Sequence, residues 1–95
     1  MGDCVTIGHG VSFITAKHSI GDSSCRAGKV IGLSIFIEDG VWIGANATIL
    51  PVIKIKQGAI VAAGALVAKD VPGNVVVAGV PAKIIKSMPL QIETK

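Results

Sequence analysis

From Ile37 onward the chain repeats every six residues. Written in sixes it reads IEDGVW, IGANAT, ILPVIK, IKQGAI, VAAGAL, VAKDVP. The first position is Ile37, Ile43, Ile49, Ile55, Val61 and Val67. The fifth is Val41, Ala47, Ile53, Ala59, Ala65 and Val71. All twelve are apolar, and the first is β-branched each time. An apolar helix face repeats at 3.6 residues and a half-buried strand at two, so neither alone produces this period. A six-residue period with a β-branched anchor predicts a β-helix, each hexad a short strand and a turn. The first position points inward; the fifth sits beside a corner. Gly40, Gly44, Asn46, Gly58 and Gly64 stand where turns need conformations that β-branched residues resist. Coils of this kind stack, and none is stable alone.

Composition agrees. Val and Ile together number 26 against four Leu, which excludes a helical bundle. Upstream, Ile7 and Phe13 fit the first position and Val11 the fifth. Ser19 and Cys25 then fall where Ile belongs, so the Gly-, Ser- and Asp-rich stretch 18–34 reads as a loop leaving the coil. Downstream, Pro72-Gly73-Asn74 is a turn and Val75 to Ala78 a strand. Ala82 to Met88 reads as one or two helical turns ended by Pro89. The expectation is one all-β domain over 1–88, about four to five coils with a short C-terminal helical segment, and a tail over 89–95.

Net charge is +3. The first 53 residues sum to −1 and the remainder to +4, so the C-terminal half suits an anionic ligand or is a solvated lysine surface. Three aromatic residues, Phe13, Phe36 and Trp42, are too few for a base-stacking nucleic-acid module. The longest apolar run, 59–68, is too short for a membrane span. No secretory signal is legible, and Cys4 and Cys25 are too few for a disulfide scaffold, which predicts a cytoplasmic protein with free thiols. His9 and His18 are the only histidines, short of the three ligands a catalytic zinc site wants. No metal is expected, and His9, between Gly8 and Gly10, reads as surface.

The hexads, IEDGVWIGANATILP and the phrase AGVPAK resemble the hexapeptide-repeat acyltransferases, over about residues 2–86. The sugar O-acetyltransferase branch is the most similar. The resemblance implies a left-handed parallel β-helix, a homotrimer, and transfer of an acetyl group from acetyl-CoA to a saccharide hydroxyl. In the galactoside and maltose branch the catalytic His precedes the VWIG tryptophan by 24 residues, as His18 precedes Trp42 here. The resemblance thus assigns His18 as general base, a role imidazole suits because its pKa lies near working pH. It places the pantetheine arm against the backbone at Ala45 and Ala63, the nucleotide near Ala68 and Lys69, and the phosphates near Lys83 and Lys86. Trp42 is expected near the donor or at the trimer interface.

Three departures accompany the likeness. Ala68 replaces a common Thr. Val52 and Lys56 stand where Gly is common, and a β-branched residue disfavours positive φ, so the turn at Val52 is expected to differ. The acceptor-binding region of the family would precede Met1, so the chain reads as the donor-binding end of such an enzyme. A truncated or non-catalytic trimeric module that still holds CoA is the alternative; a serine or amino-sugar acceptor is the third reading.

Overall fold

The structure is a computed structural model. It describes the backbone of residues 1–20, 27–32 and 34–88 and the side chains of residues 1–15 and 34–88. In chain order the strands are β1 (Thr6–Ile7), β2 (Ser12–Phe13), β3 (Ala16–Ile20), β4 (Ala27–Gly32), β5 (Phe36–Ile37), β6 (Trp42–Ile43), β7 (Thr48–Ile49), β8 (Lys54–Ile55), β9 (Ile60–Val61), β10 (Leu66–Val67), β11 (Val75–Ala78) and β12 (Lys83–Ser87). No helix occurs among the described residues.

The repeat winds into a parallel coil. Phe36 pairs with Lys54, Trp42 with Ile60 and Thr48 with Leu66, all in parallel. Each partner lies eighteen positions on, so three hexads make one turn and three faces. The β1–β6 and β2–β7 pairs are also parallel, but Thr6 meets Trp42 and Ser12 meets Thr48, thirty-six positions on. The additional coil's worth of sequence leaves the stack. It carries β3 and β4, which pair with each other in antiparallel register, His18 opposite Val30. The expected loop over 18–34 is thus in part an antiparallel ribbon. Strands of this ribbon satisfy their backbone groups with each other, which an irregular excursion could not do.

All twelve anchors of the six hexads are buried, and Val75 and Val77 complete the core. Ile43, Ile49, Ile55, Ala47, Ala59 and Val61 are wholly inaccessible. Each Ile or Val placed this way is worth about 1.5–3 kcal/mol. The first coil is different. Ile7 is 37% exposed, whereas Ile43 beneath it is 0%, because nothing among the described residues lies above it.

Corners have a common geometry. The fourth hexad position is left-handed at Gly40, Asn46, Val52, Gly58 and Gly64, with φ of 71°, 61°, 67°, 73° and 73°. The turn at Val52 therefore does not differ, contrary to expectation: the coil imposes its corner and the β-branched residue accepts it. Gly44 has another role. A Cβ there would lie 2.6 Å from the backbone nitrogen of Ala63, so it is small to let two coils approach.

The coil shortens once. Ile60 pairs with Val76, and Ile55 bridges to Val71, each only sixteen positions on. Val71 consequently takes an inward first position opposite Ile55, two residues earlier than the hexad phase implies. The Asp70 carboxylate closes this tight corner by accepting the Lys54 N–H at 2.9 Å. β11 then turns back on itself through residues 79–82 into β12, with a bulge between Val76 and Val77. The expected C-terminal helical segment is therefore corrected to an antiparallel strand. Ile84 and Ile85 favour extended backbone, and β11 offers them a free ladder edge. The Met88 N–H closes the hairpin on the Asn74 carbonyl at 2.6 Å. The tail over 89–95 lies outside the described residues.

Candidate functional site

A groove of about 360 Å³ lies where the shortened corner meets the β11–β12 turn. Its apolar lining includes Val67, Val77, Pro81 and Ile84, and its polar residues are Lys69, Asp70 and Lys83. Two backbone bonds pin the crossing segment in place: Leu66 N–H to Gly79 C=O at 3.0 Å, and Ala82 N–H to Leu66 C=O at 2.8 Å. Both lysines are exposed, so their attraction for an anion is screened by salt. An apolar trough with two ammonium groups suits a ligand with an extended organic body and anionic groups. Ala68, Lys69 and Lys83, three of the residues expected at the donor, line it together.

Ala45 and Ala63 occupy one corner column on successive coils. The Ala45 carbonyl accepts the Gly64 N–H at 2.9 Å. Among the described residues neither the Ala45 nor the Ala63 N–H has a backbone acceptor. The column continues one shortened coil on to Gly79, which begins the turn that borders the groove. The corner column thus ends beside the groove. Lys86 is not on it: it stands on exposed β12 opposite Val76 and does not line the groove.

His18 lies on β3, in the ribbon, at a position set by its pairing with Val30. Its imidazole lies outside the described side chains. Trp42 points outward, 55% exposed, in a ladder with Thr6, Ile60 and Val76. Among the described residues no three His, Cys, Asp or Glu side chains gather as a metal site would need.

Asp70, Pro81 and Ile84 belong to the groove and were not anticipated from the sequence. A signal existed. In unbroken phase Gly73 would occupy an inward first position and Val75 would lie between anchors, whereas after a slip of two residues Val71 and Val77 become first positions and Val75 a fifth. That slip marks the short corner, and the groove follows from it.

Residues 34–69 match the bacterial transferase hexapeptide (six repeats) model. A putative acetyltransferase of Schizosaccharomyces pombe is 39% identical over 88 residues, which is 93% of this chain and 42% of that protein. A 2,3,4,5-tetrahydropyridine-2,6-dicarboxylate N-acetyltransferase of Clostridium perfringens is 65% identical over 52 residues, 55% of this chain and 22% of that protein. Among solved structures, a hexapeptide-repeat acetyltransferase of Vibrio cholerae complexed with acetyl-CoA superposes with a TM-score of 0.84 at 40% identity, covering 92% of this chain and 48% of that one. A maltose O-acetyltransferase of Clostridium difficile gives 0.82 at 37%, covering 90% and 46%. The chain thus spans less than half the length of each. A coil of opposite hand would not superpose at such scores, so this chain shares its neighbours' hand, left-handed as the resemblance implies. Repeat, register and matches converge: the chain belongs to the hexapeptide-repeat family of acyltransferases.

Proposed function

We propose that this chain forms the donor-binding part of an acetyltransferase that moves an acetyl group from acetyl-CoA to a saccharide hydroxyl. The observation that carries the reading is the path from Ala45 and Ala63 into a groove flanked by Lys69 and Lys83. The pantetheine arm would follow the corner column, where backbone N–H groups can meet its carbonyls. The nucleotide would enter the groove beside Ala68, with Lys69 and Lys83 near its phosphates. Lys86, off the groove, would act only at longer range. The support from relatives is that a 40% identical neighbour is complexed with acetyl-CoA and a 33% identical galactoside acetyltransferase with coenzyme A.

His18 is assigned as general base. Its imidazole takes the acceptor hydroxyl proton as that oxygen attacks the thioester carbonyl. The C–S bond then breaks, the acetyl ester forms, and the proton passes to the departing CoA sulfur. Transfer is direct, with no acyl-enzyme. The active site is assigned to a homotrimer interface, for which Trp42, Ile60 and Val76 give an outward apolar ladder. No helix among the described residues is long and apolar enough to cross a membrane, and the expected compartment is the cytoplasm.

A second reading has its own support. The 65% identity over 52 residues to an N-acetyltransferase favours an amine acceptor at the same donor site. His18→Ala tests the common mechanism. Acetyl transfer should fall about 10²–10⁴-fold while CoA affinity stays within about twofold. Unchanged turnover would remove His18 from the chemistry. A screen of sugar hydroxyls against amino sugars then separates the acceptor classes.

A further inference from the structure

His9 stands in the same corner column as Ala45 and Ala63, one coil further from the lysines. Its register is fixed: the Asn46 N–H donates to the His9 carbonyl at 3.0 Å, as the Gly64 N–H donates to that of Ala45. The fit of the two coils is close. A Cβ at Gly8 would lie 2.6 Å from the Ala45 backbone nitrogen, so the His9 and Ala45 corners stack directly. His9 is exposed and flanked by Gly8 and Gly10, with Gly10 in the left-handed region at φ 72°. Ala45 and Ala63 present only methyl groups along this column, and Gly79 presents none. His9 is therefore the first side chain on it that can hydrogen-bond.

We infer that His9 is a positioning residue for the acyl end of the donor, its imidazole a hydrogen-bond partner of the thioester carbonyl. The inference rests on the donor path proposed above. Parallel strands of successive coils stand about 4.8 Å apart, so His9 lies about 10 Å beyond Ala63, two coil steps along the direction leading away from the groove. An arm that is anchored by its phosphates at Lys69 and Lys83 and passes Ala63 and Ala45 presents its thioester at the next level. An imidazole N–H there can donate to the thioester carbonyl, an acceptor that free CoA lacks, so its effect is confined to the acylated donor.

Calorimetric titration of the full chain with CoA and with acetyl-CoA tests this, in wild type, His9→Ala and His9→Gln. His9→Ala is expected to weaken acetyl-CoA by about three- to tenfold, the worth of one neutral hydrogen bond. CoA should change by less than about twofold. His9→Gln, which keeps a donor, should recover part of the loss. Because the two ligands differ only in the acetyl group, a merely structural effect would move both alike. The same acetyl-CoA to CoA affinity ratio in all three proteins overturns the role of His9 and leaves the donor path standing. Failure of the wild type to bind either ligand overturns the path and the inference together.

Discussion

Val52 holds φ at +67° with its side chain 56% exposed. A β-branched residue in that region costs about 1–3 kcal/mol, and little packing offsets it. Val52→Asn should therefore raise the midpoint of chemical unfolding by the equivalent of about 1 kcal/mol; a lower midpoint would contradict a conformational cost at this corner. Gly58 and Gly64 give a matched pair. Both are left-handed, but a Cβ at Gly58 would meet the Asn74 side chain, whereas at Gly64 it would meet nothing. Gly58→Ala should destabilise more than Gly64→Ala, and Asn74→Gly should relieve the excess, read as a coupling energy in a double-mutant cycle. Additive effects would contradict the contact. At this scale the sequence was legible where one position controls one property. Anchors could be read because burial selects β-branched residues. The conformation at Val52 could not, because the stacked coil overrides the residue's own preference.

The short corner and the C-terminal hairpin are the elements that make the groove. Asp70 does two things there: its carboxylate accepts the Lys54 N–H, and it brings a negative charge to the groove that Lys69 and Lys83 also line. Asp70→Asn keeps an acceptor and removes the charge. It should leave the unfolding midpoint nearly unchanged and tighten binding of an anionic ligand at low salt, an effect that fades as ionic strength rises. Asp70→Ala should destabilise by about 1 kcal/mol. In β12, Ile84 pairs with Val77 and lines the groove, whereas Ile85 falls at the bulge and is 65% exposed. Ile84→Asp should thus lower stability more than Ile85→Asp; the reverse order would contradict the register. The helical reading of 82–88 failed for a physical reason. Short apolar runs do not distinguish helix from strand by periodicity, and the unpaired edge of β11 decided the matter. The phase slip at Asp70 was legible in principle, since Gly73 cannot serve as an inward anchor, but only once the register after Val67 was questioned.

Across the whole molecule, stability is a sum over stacked layers. The core is tight from Ile37 to Val77 and loosens in the first coil, where Ile7 is exposed and Met1, Phe13, Thr15, Ile35 and Ile37 line an open pocket. Hydrogen exchange should accordingly protect the amides of Ile43, Ile49 and Val61 most and those of β1 and β2 least; uniform protection would contradict the layered account. The fold was legible from the repeat because each hexad position maps to one place on the coil, whereas the donor path proposed along Ala45 and Ala63 came through resemblance. The proposed role of His18 likewise rests on resemblance alone, since its 24-residue distance from Trp42 crosses a ribbon that the hexad phase does not describe. As proposed above, column and groove form one donor site. The most direct test of this proposal is calorimetric titration with acetyl-CoA of the wild type and of a Lys69→Ala/Lys83→Ala variant. The wild type should bind at about one site per chain, and affinity should fall about tenfold or more in the variant at low salt. Equal affinity in the two proteins, or no binding at millimolar ligand, would contradict it.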